Sequence, residues 1–262
     1  MRTMRLSQRL DAVFRTTVSV LILPVTLIAV SVWALIRVFR KAPREKIDSV
    51  YWSFAKIGVR VGGTKLEVHG LENICPGQGY VLVPNHESNW DSVAIVAALD
   101  KVPVRFVAKR EIADIPIFGW AVIQSGSVRV ERTGTQADVD RIRKNMAARP
   151  TDLSMIFYAE GMRSRDGALH PFKKGAFVTA IAHGLPVLPL GHAGCYRIWR
   201  PLKFRLRSGP VVVEVGRPIS TEHLTYDNRD KLRDQTFDAV RELRARARTR
   251  VRELGADPGG ID

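Results

Sequence analysis

The segment VPNHESNWDS, residues 83–92, contains a histidine five positions before an aspartate, between two apolar runs. On a regular helix, side chains at positions i and i+5 point about 140° apart. His86 and Asp91 can therefore meet only if His86 lies in a turn after a strand and Asp91 lies in the first turn of a helix that begins near Asn89. The flanking sequence allows this arrangement, because a strand-like run precedes the segment and a helix-like run follows it.

A carboxylate bound to one nitrogen of an imidazole prepares the other nitrogen to accept a proton. It holds the ring in one tautomer and stabilises the imidazolium, and general-base assistance of this kind contributes roughly 10²–10⁴-fold in rate. The spacing allows His86 to be a general base that Asp91 orients, and no nucleophilic serine is needed if the substrate supplies a hydroxyl. An isolated pair with this spacing is more often a helix cap, so the rest of the sequence decides between the two interpretations.

From about residue 62, short apolar runs alternate with helical segments, which predicts an α/β fold with a mixed, largely parallel sheet flanked by helices. Functional groups in such folds lie at the carboxyl ends of strands. The predicted strands are Tyr80–Val83, Val104–Val107, Ser127–Val130, Leu153–Tyr158, Val187–Leu190, Phe204–Leu206 and Val211–Val215. The predicted helices are Ser92–Leu99, Gln136–Ala148, Gly175–His183 and a solvated, basic surface helix over Asn228–Glu253.

The N-terminal residues differ in composition from the rest of the chain. Residues 16–36 contain no charged side chain, and a helix of this length would span about 31 Å, roughly one hydrocarbon core. Basic residues flank both ends, so charge does not select an orientation, and Pro24 permits a helix that crosses or one that dips into a single leaflet. Residues 47–60 predict a second, amphipathic helix. We therefore predict a two-helix membrane anchor at residues 1–60 and an α/β domain with a basic C-terminal helix at residues 61–262.

The chain of 262 residues has 41 Lys and Arg against 26 Asp and Glu, a net charge of +15, which favours anionic partners. The cations are spread along the chain, so we expect no nucleic-acid partner. Cys75 and Cys195 are far apart and predict neither a disulfide framework nor a zinc site. His86, Glu87 and Asp91 lack the spacing of a HExxH metal site, so we expect no metal and no metal-dependent hydrolase.

The pattern NHxSxxD at a strand end, downstream of a predicted anchor, resembles the signature of the glycerolipid acyltransferases, in particular the 1-acyl-sn-glycerol-3-phosphate (lysophosphatidate) acyltransferases. Further segments resemble blocks of the same family in the same order: residues 108–120 (K-x-E-L…P…G) with their continuation 126–132 (G…R), residues 157–164 (E-G-T-R-S) and residues 184–190, an apolar strand with two prolines. Met162 replaces the threonine of the E-G-T-R-S block.

The resemblance implies transfer of a fatty acyl group from acyl-CoA or acyl-carrier protein to the sn-2 hydroxyl of 1-acyl-glycerol 3-phosphate, which gives phosphatidic acid. The thioester is a co-substrate, and no cofactor is expected. The expected location is the membrane, with the active site on the cytoplasmic face. Met162 cannot donate a hydrogen bond, which leaves open other acceptors: glycerol 3-phosphate, another lysophospholipid or a lyso-aminolipid. The alternative from another class is a non-catalytic, basic membrane scaffold.

The resemblance also assigns the site residues. The catalytic pair is His86 and Asp91, and the substrate-binding residues are Asn85, Ser88, Lys109, Gly126, Arg132, Glu160, Gly161 and Arg163. The three cations of this set would hold the glycerol phosphate, since Lys and Arg at strand ends can clamp phosphate oxygens. Glu160 would orient Arg163 or a hydroxyl, and backbone N–H groups of residues 85–88 would stabilise the developing oxyanion.

Overall fold

The computed structural model describes residues 6–131, 136–203 and 205–261. Within them, a seven-stranded sheet has the order β1-β7-β6-β2-β5-β3-β4. The strands are β1 (Thr64–His69), β2 (Val81–Pro84), β3 (Val104–Lys109), β4 (Val128–Val130), β5 (Ser154–Ile156), β6 (Val187–Ala193) and β7 (Gly209–Val215). All neighbouring strands are parallel except β6 and β7, which are antiparallel. The predicted mixed, largely parallel sheet is therefore confirmed.

Helices cover both faces of the sheet. Their bounds are α1 (Leu6–Phe39), α2 (Arg44–Val61), α3 (Asp91–Ala98), α4 (Arg110–Ala113), α5 (Phe118–Gln124), α6 (Gln136–Ala147), α7 (Gly175–Ala182), α8 (Cys195–Ile198) and α9 (Arg229–Glu253). Val81 and Val83 of β2 pack in a core with α7 and α9, whereas Leu82 packs in a second core with α2 and α3. This alternation places α2 and α3 on one face and α7 and α9 on the other, because successive side chains of a strand point to opposite faces.

Two details of the predicted strands are wrong. Residues 205 and 206 of the predicted strand Phe204–Leu206 are irregular. The alternating pattern there resembles a strand, but the strand that follows, β7, already pairs with β1 and β6, so it offers no open edge. Strand β1 was not predicted, although Leu66 and Val68 alternate with charged residues, as is typical of a half-exposed edge strand.

The C-terminal helix α9 is not only the solvated helix that its charge predicts. It packs against β6 and β7 and buries Leu232, Val240 and Val251 together with two arginines, Arg244 and Arg248. The backbone of β6 leaves no space for a side chain there: a Cβ at Gly191 would collide with the backbone of α9. The close contact of strand and helix therefore depends on a glycine at this position.

The two predicted N-terminal helices are present as α1 and α2, and α1 contains Pro24. Helix α1 exposes a long row of apolar side chains: Val13, Phe14, Leu21, Ile22, Val25, Ile28, Val32, Trp33, Ile36 and Phe39. Among the residues that the structure describes, no helix combines the length and the apolarity needed to cross a membrane. The pair of helices is confirmed, while their contact with a membrane stays a prediction.

Replacing Gly191 with alanine should lower the free energy of unfolding by about 1–3 kcal/mol, because overpacking forces α9 away from β6. Chemical denaturation of the purified protein measures this change. Gly175→Ala is the matched control: its Cβ would meet no atom within 4 Å, and alanine is a better helix former than glycine. Equal stability of the two variants would contradict the predicted packing.

Candidate active site

The turn between β2 and α3 brings His86 and Asp91 together. His86 lies two residues after β2, and Asp91 is the first residue of α3. Nδ1 of His86 is 2.8 Å from Oδ2 of Asp91. The contact that the spacing predicted is therefore confirmed. Because the carboxylate accepts, Nδ1 carries the proton and Nε2 keeps its lone pair in the neutral ring.

The same oxygen of Asp91 holds the whole turn. Oδ2 also accepts hydrogen bonds from the backbone N–H groups of Glu87 and Ser88, each at 2.8 Å, and the side chain is fully buried. Three donors around one buried carboxylate oxygen compensate for the loss of solvent. They also fix the direction from which Asp91 meets the imidazole.

The environment of His86 keeps its imidazole neutral near pH 7. Burial lowers the pKa of His86 below its usual value, and this outweighs Asp91, which raises it. The phenol ring of Tyr158 stacks on the imidazole, with ring centroids 3.7 Å apart and planes 21° apart, and its hydroxyl is 2.9 Å from Oγ of Ser92. A neutral ring whose Nε2 has no hydrogen-bond partner among the described residues can act as a general base. The sequence prediction missed Tyr158.

Glu160 supports the turn from the loop that follows the neighbouring strand β5. Its Oε1 accepts a hydrogen bond from the backbone N–H of His86 at 2.6 Å, and Oε2 accepts one from the backbone N–H of His170 at 2.9 Å. Burial raises the pKa of Glu160 to about 8. Both oxygens of Glu160 thus bind main-chain amides, and among the described residues Glu160 makes no contact with Arg163. The expected contact with a substrate hydroxyl stays a prediction.

These contacts also correct the expected oxyanion site. The N–H of His86 donates to Glu160, and the N–H groups of Glu87 and Ser88 donate to Asp91. Three of the four backbone N–H groups of residues 85–88 are therefore occupied within the protein. These three amides are not available to a negative charge that develops on a substrate.

The side chains of Asn85 and Ser88 form hydrogen bonds with the main chain of other segments and so hold the turn in place. Oδ1 of Asn85 accepts from the N–H of His192 at 2.9 Å, and its Nδ2 donates to the carbonyl of His192 at 3.2 Å. Oγ of Ser88 donates to the carbonyl of Trp199 at 2.6 Å and accepts from the N–H of Trp90 at 2.9 Å. Both side chains are buried, so the structure gives them a positioning task in place of the expected substrate contact.

A buried charge network lies behind the turn, and the sequence prediction missed it. Nε2 of His192 donates to the carbonyl of Asn85 at 2.9 Å and lies 3.7 Å from Oδ1 of Asp91. Glu87 faces away from the catalytic ring, with Nε of Arg244 at 3.7 Å and Nδ1 of His192 at 4.0 Å. Burial raises the pKa of Glu87 to about 7, although His192 and Arg244 oppose this. Arg244 thereby connects α9 to the catalytic turn.

Asp91, His192 and Cys195 place three metal-ligating atoms within 4.8 Å of one another, which their sequence spacing did not indicate. Burial and the carboxylates of Asp91 and Glu87 raise the pKa of the Cys195 thiol well above its usual value. A hydrogen bond between the thiol and Asp91 contributes to this shift.

Two of the three predicted phosphate-binding cations, Lys109 and Arg163, are exposed. Arg163 contacts Oδ1 of Asn89 in the catalytic turn. Lys109 ends β3, and its Nζ lies 2.5 Å from a carboxylate oxygen of Glu111. Arg132 lies outside the described residues.

The two predicted glycines both have a positive φ, +104° at Gly126 and +82° at Gly161, a region that favours glycine. A Cβ at Gly126 would approach Arg105 to 3.6 Å, so this glycine faces a buried arginine. At Gly161, a Cβ would lie 2.9 Å from Nζ of Lys173, a cation that the sequence prediction missed. Gly161 therefore lets a further ammonium group approach the loop that carries Arg163.

Comparison with known proteins gives consistent matches. The family model described as "Acyltransferase" matches residues 65–193, which contain the catalytic turn. The 1-acyl-sn-glycerol-3-phosphate acyltransferase of Limnanthes douglasii is 29% identical over 191 residues, 68% of this chain and 68% of the relative. The human 1-acyl-sn-glycerol-3-phosphate acyltransferase alpha is 30% identical over 189 residues, 69% of this chain and 65% of the relative.

A third relative, the chloroplastic 1-acyl-sn-glycerol-3-phosphate acyltransferase BAT2 of Brassica napus, is 34% identical, and the match spans 59% of this chain but only 45% of that protein. Among solved structures, the 1-acyl-sn-glycerophosphate acyltransferase PlsC of Thermotoga maritima superposes with a TM-score of 0.77 at 23% identity. That match covers 95% of this chain and 98% of the other. It establishes a shared fold.

The rate of a reaction in which His86 is the general base should fall at acid pH, and the midpoint of this fall should lie below pH 6.5. Burial lowers the pKa of His86, and the protonated imidazolium cannot accept a proton, so kcat/KM should fall about tenfold for each pH unit below that pKa. A pH series of kcat/KM measures the midpoint. His170→Gln, which changes a partly exposed histidine beside the site, should leave the midpoint in place. A midpoint above 6.5 in the unmodified protein would contradict the assignment.

Proposed function

Because residues 65–193 of this chain belong to the acyltransferase family, we propose that the protein transfers a fatty acyl group from an acyl thioester to the sn-2 hydroxyl of 1-acyl-sn-glycerol 3-phosphate, which gives phosphatidic acid. The names of its relatives support this acceptor. The observation that carries the proposal is the imidazole of His86, which Asp91 holds at Nδ1 and which leaves Nε2 available as a base.

In the proposed mechanism, Nε2 of His86 takes the proton from the acceptor hydroxyl while its oxygen attacks the thioester carbonyl. Collapse of the tetrahedral intermediate breaks the carbon–sulfur bond, and the imidazolium returns its proton to the leaving thiolate. Asp91 stabilises the imidazolium between these steps. An acyl-enzyme is not needed, and Ser88 is unsuited to form one because its hydroxyl is buried and donates to the carbonyl of Trp199.

In this mechanism, exposed cations near the turn bind the negative charge of the acceptor phosphate and of the tetrahedral intermediate. Arg163 is exposed and touches the catalytic turn through Asn89, and its guanidinium can bind two phosphate oxygens at once. Lys173, beside Gly161, adds a second positive charge. Lys109 and Arg132 keep the phosphate role that the family resemblance assigns to them.

We further propose that the protein works at a bilayer surface, with α1 and α2 as its anchor. Helix α1 exposes apolar side chains along most of its length, and Phe39 at its end packs on Trp120 of α5, with ring centroids 5.3 Å apart. Apolar residues of the segment after β3, Ile112 and Ile115, are also exposed. A bilayer-bound enzyme can take an amphiphilic acceptor directly from the leaflet. Acyl-CoA and acyl-carrier protein both remain candidate donors, and the cytoplasmic face is the proposed location.

A different acceptor of the same class is the second candidate. Met162, next to Arg163, is 65% exposed at the position where the family resemblance places a threonine. A thioether offers an apolar contact where a hydroxyl would offer a hydrogen bond, which favours acceptors with a less polar group there. A basic scaffold without activity is disfavoured, because the fully buried Asp91 that holds the imidazole of His86 costs free energy that a scaffold does not need.

Thioester consumption by the purified protein, measured with a panel of lysolipid acceptors and with both donor types, tests the function. Lysophosphatidate should support the highest kcat/KM, and His86→Ala should lower it by about 10²–10⁴-fold while the protein stays folded, because the general base is lost. His223→Ala, at an exposed histidine far from the turn in sequence, is the control and should retain activity. Wild-type levels of transfer by the His86 variant would refute the mechanism.

Arg163→Ala should raise the KM for lysophosphatidate at least tenfold with a smaller change in the KM for the donor, because a bidentate contact to phosphate is lost. Steady-state kinetics with each substrate varied in turn measures the split. Arg165→Ala removes the same charge from an exposed position two residues away and is the matched control. Equal effects of the two substitutions would reject a specific phosphate contact at Arg163.

A further inference from the structure

The segment after α8 has an exposed leucine at its tip. Leu202 is 80% exposed, more than any other large apolar side chain of the described residues. Its φ is +59°, in the left-handed region that non-glycine residues seldom adopt. Both the left-handed backbone and the exposure of an apolar side chain to water are unfavourable. A surface that covers the side chain would remove the second cost.

The sequence around this leucine is rich in cations and contains no acidic residue. Residues 197–207 contain five Lys or Arg and no Asp or Glu: Arg197, Arg200, Lys203, Arg205 and Arg207. The pKa of Arg207 is lowered by burial and by the positive charges of Arg205, Arg200 and Arg197, so these groups are close enough to repel one another. An exposed apolar side chain with several cations beside it is typical of a protein segment that binds an anionic lipid surface.

The segment is fastened to the catalytic turn. The carbonyl of Trp199 accepts from Oγ of Ser88 at 2.6 Å and from the N–H of Asn89 at 3.3 Å, and the carbonyl of Arg200 lies 3.5 Å from Nδ2 of Asn89. Any surface that binds the leucine tip therefore also fixes the position of the turn.

A second strained, exposed aliphatic residue lies on the other side of the turn. Ile117, between α4 and α5, has a φ of +64° and is 40% exposed. The helix α4 follows the carboxyl end of β3, whereas α8 follows the carboxyl end of β6. In the order β6-β2-β5-β3, the turn after β2 lies between these two segments at the same edge of the sheet.

We propose that the segment Arg200–Lys203 is a second bilayer contact, in which Leu202 enters the interface of an anionic leaflet and the neighbouring cations bind lipid phosphates. The proposal rests on the proposed function, since it adds to the anchor of α1 and α2 a contact at the active site itself. With Ile117 and Leu202 both at the bilayer, His86 lies between two points of attachment. An acceptor can then reach Nε2 without leaving the leaflet.

Vesicle binding without donor or acceptor tests the contact separately from the reaction. Arg200→Ala/Lys203→Ala in the full chain should weaken binding to vesicles of phosphatidylcholine and phosphatidylglycerol by about fivefold for each cation removed. Binding to pure phosphatidylcholine should stay unchanged. Leu202→Ser should weaken binding to both kinds of vesicle. The matched control Lys231→Ala/Arg246→Ala removes two cations that line a groove with His69, at the opposite edge of the sheet, and should bind as the wild type.

Kinetics with two forms of the acceptor distinguish a bilayer contact from a role of the cations in binding the donor. The Leu202 and Arg200/Lys203 variants should lose activity towards lysophosphatidate embedded in vesicles and retain it towards a short-chain, monomeric lysophosphatidate. A raised KM for the donor with the monomeric acceptor would assign the cations to donor phosphates and overturn the proposal, as would unchanged vesicle binding by both variants. If the wild type binds vesicles through this segment but transfers no acyl group, the proposed function fails and the contact stands.

Discussion

One buried carboxylate oxygen organises the catalytic turn, and the chemistry of the site depends on it. Oδ2 of Asp91 accepts hydrogen bonds from Nδ1 of His86 and from the backbone amides of Glu87 and Ser88, each at 2.8 Å. A carboxylate with no access to water is costly unless such donors surround it. Because the same three donors define the path of the backbone from β2 to α3, the turn cannot move without breaking the contact that orients the imidazole.

Further carboxylates extend this arrangement into the rest of the fold. Glu160 binds the amide of His86 from the loop after β5, and Glu87 lies near His192 of β6 and Arg244 of α9. Each link joins the turn to a different element, so β2 is held from both neighbouring strands and from the C-terminal helix. Gly191 allows the close approach of that helix. The basic helix α9 is thus a structural part of the active site and not only a charged surface.

The occupation of the turn amides has a consequence for catalysis. Oxyanion donors in acyl transfer are often backbone amides, yet the amides of His86, Glu87 and Ser88 bind carboxylates in this protein. In the proposed mechanism, Arg163 and the other predicted cations meet the developing charge. The same edge of the sheet carries the exposed apolar side chains of Ile117 and Leu202, so the proposed phosphate contact and the proposed lipid contact share one side of the molecule.

Local pattern was enough to predict most of the strands, the longer helices and the meeting of His86 with Asp91, because alternation, helical periodicity and a five-residue spacing are properties of neighbouring residues. The sequence also predicted Arg163 near the turn through its resemblance to a family. Only the tertiary structure decided that Asn85 and Ser88 turn inward, that Glu160 binds amides and that Tyr158 stacks on the imidazole. Those contacts depend on β2 lying between β5 and β6, and strands that are distant in sequence become neighbours only through the order of the sheet.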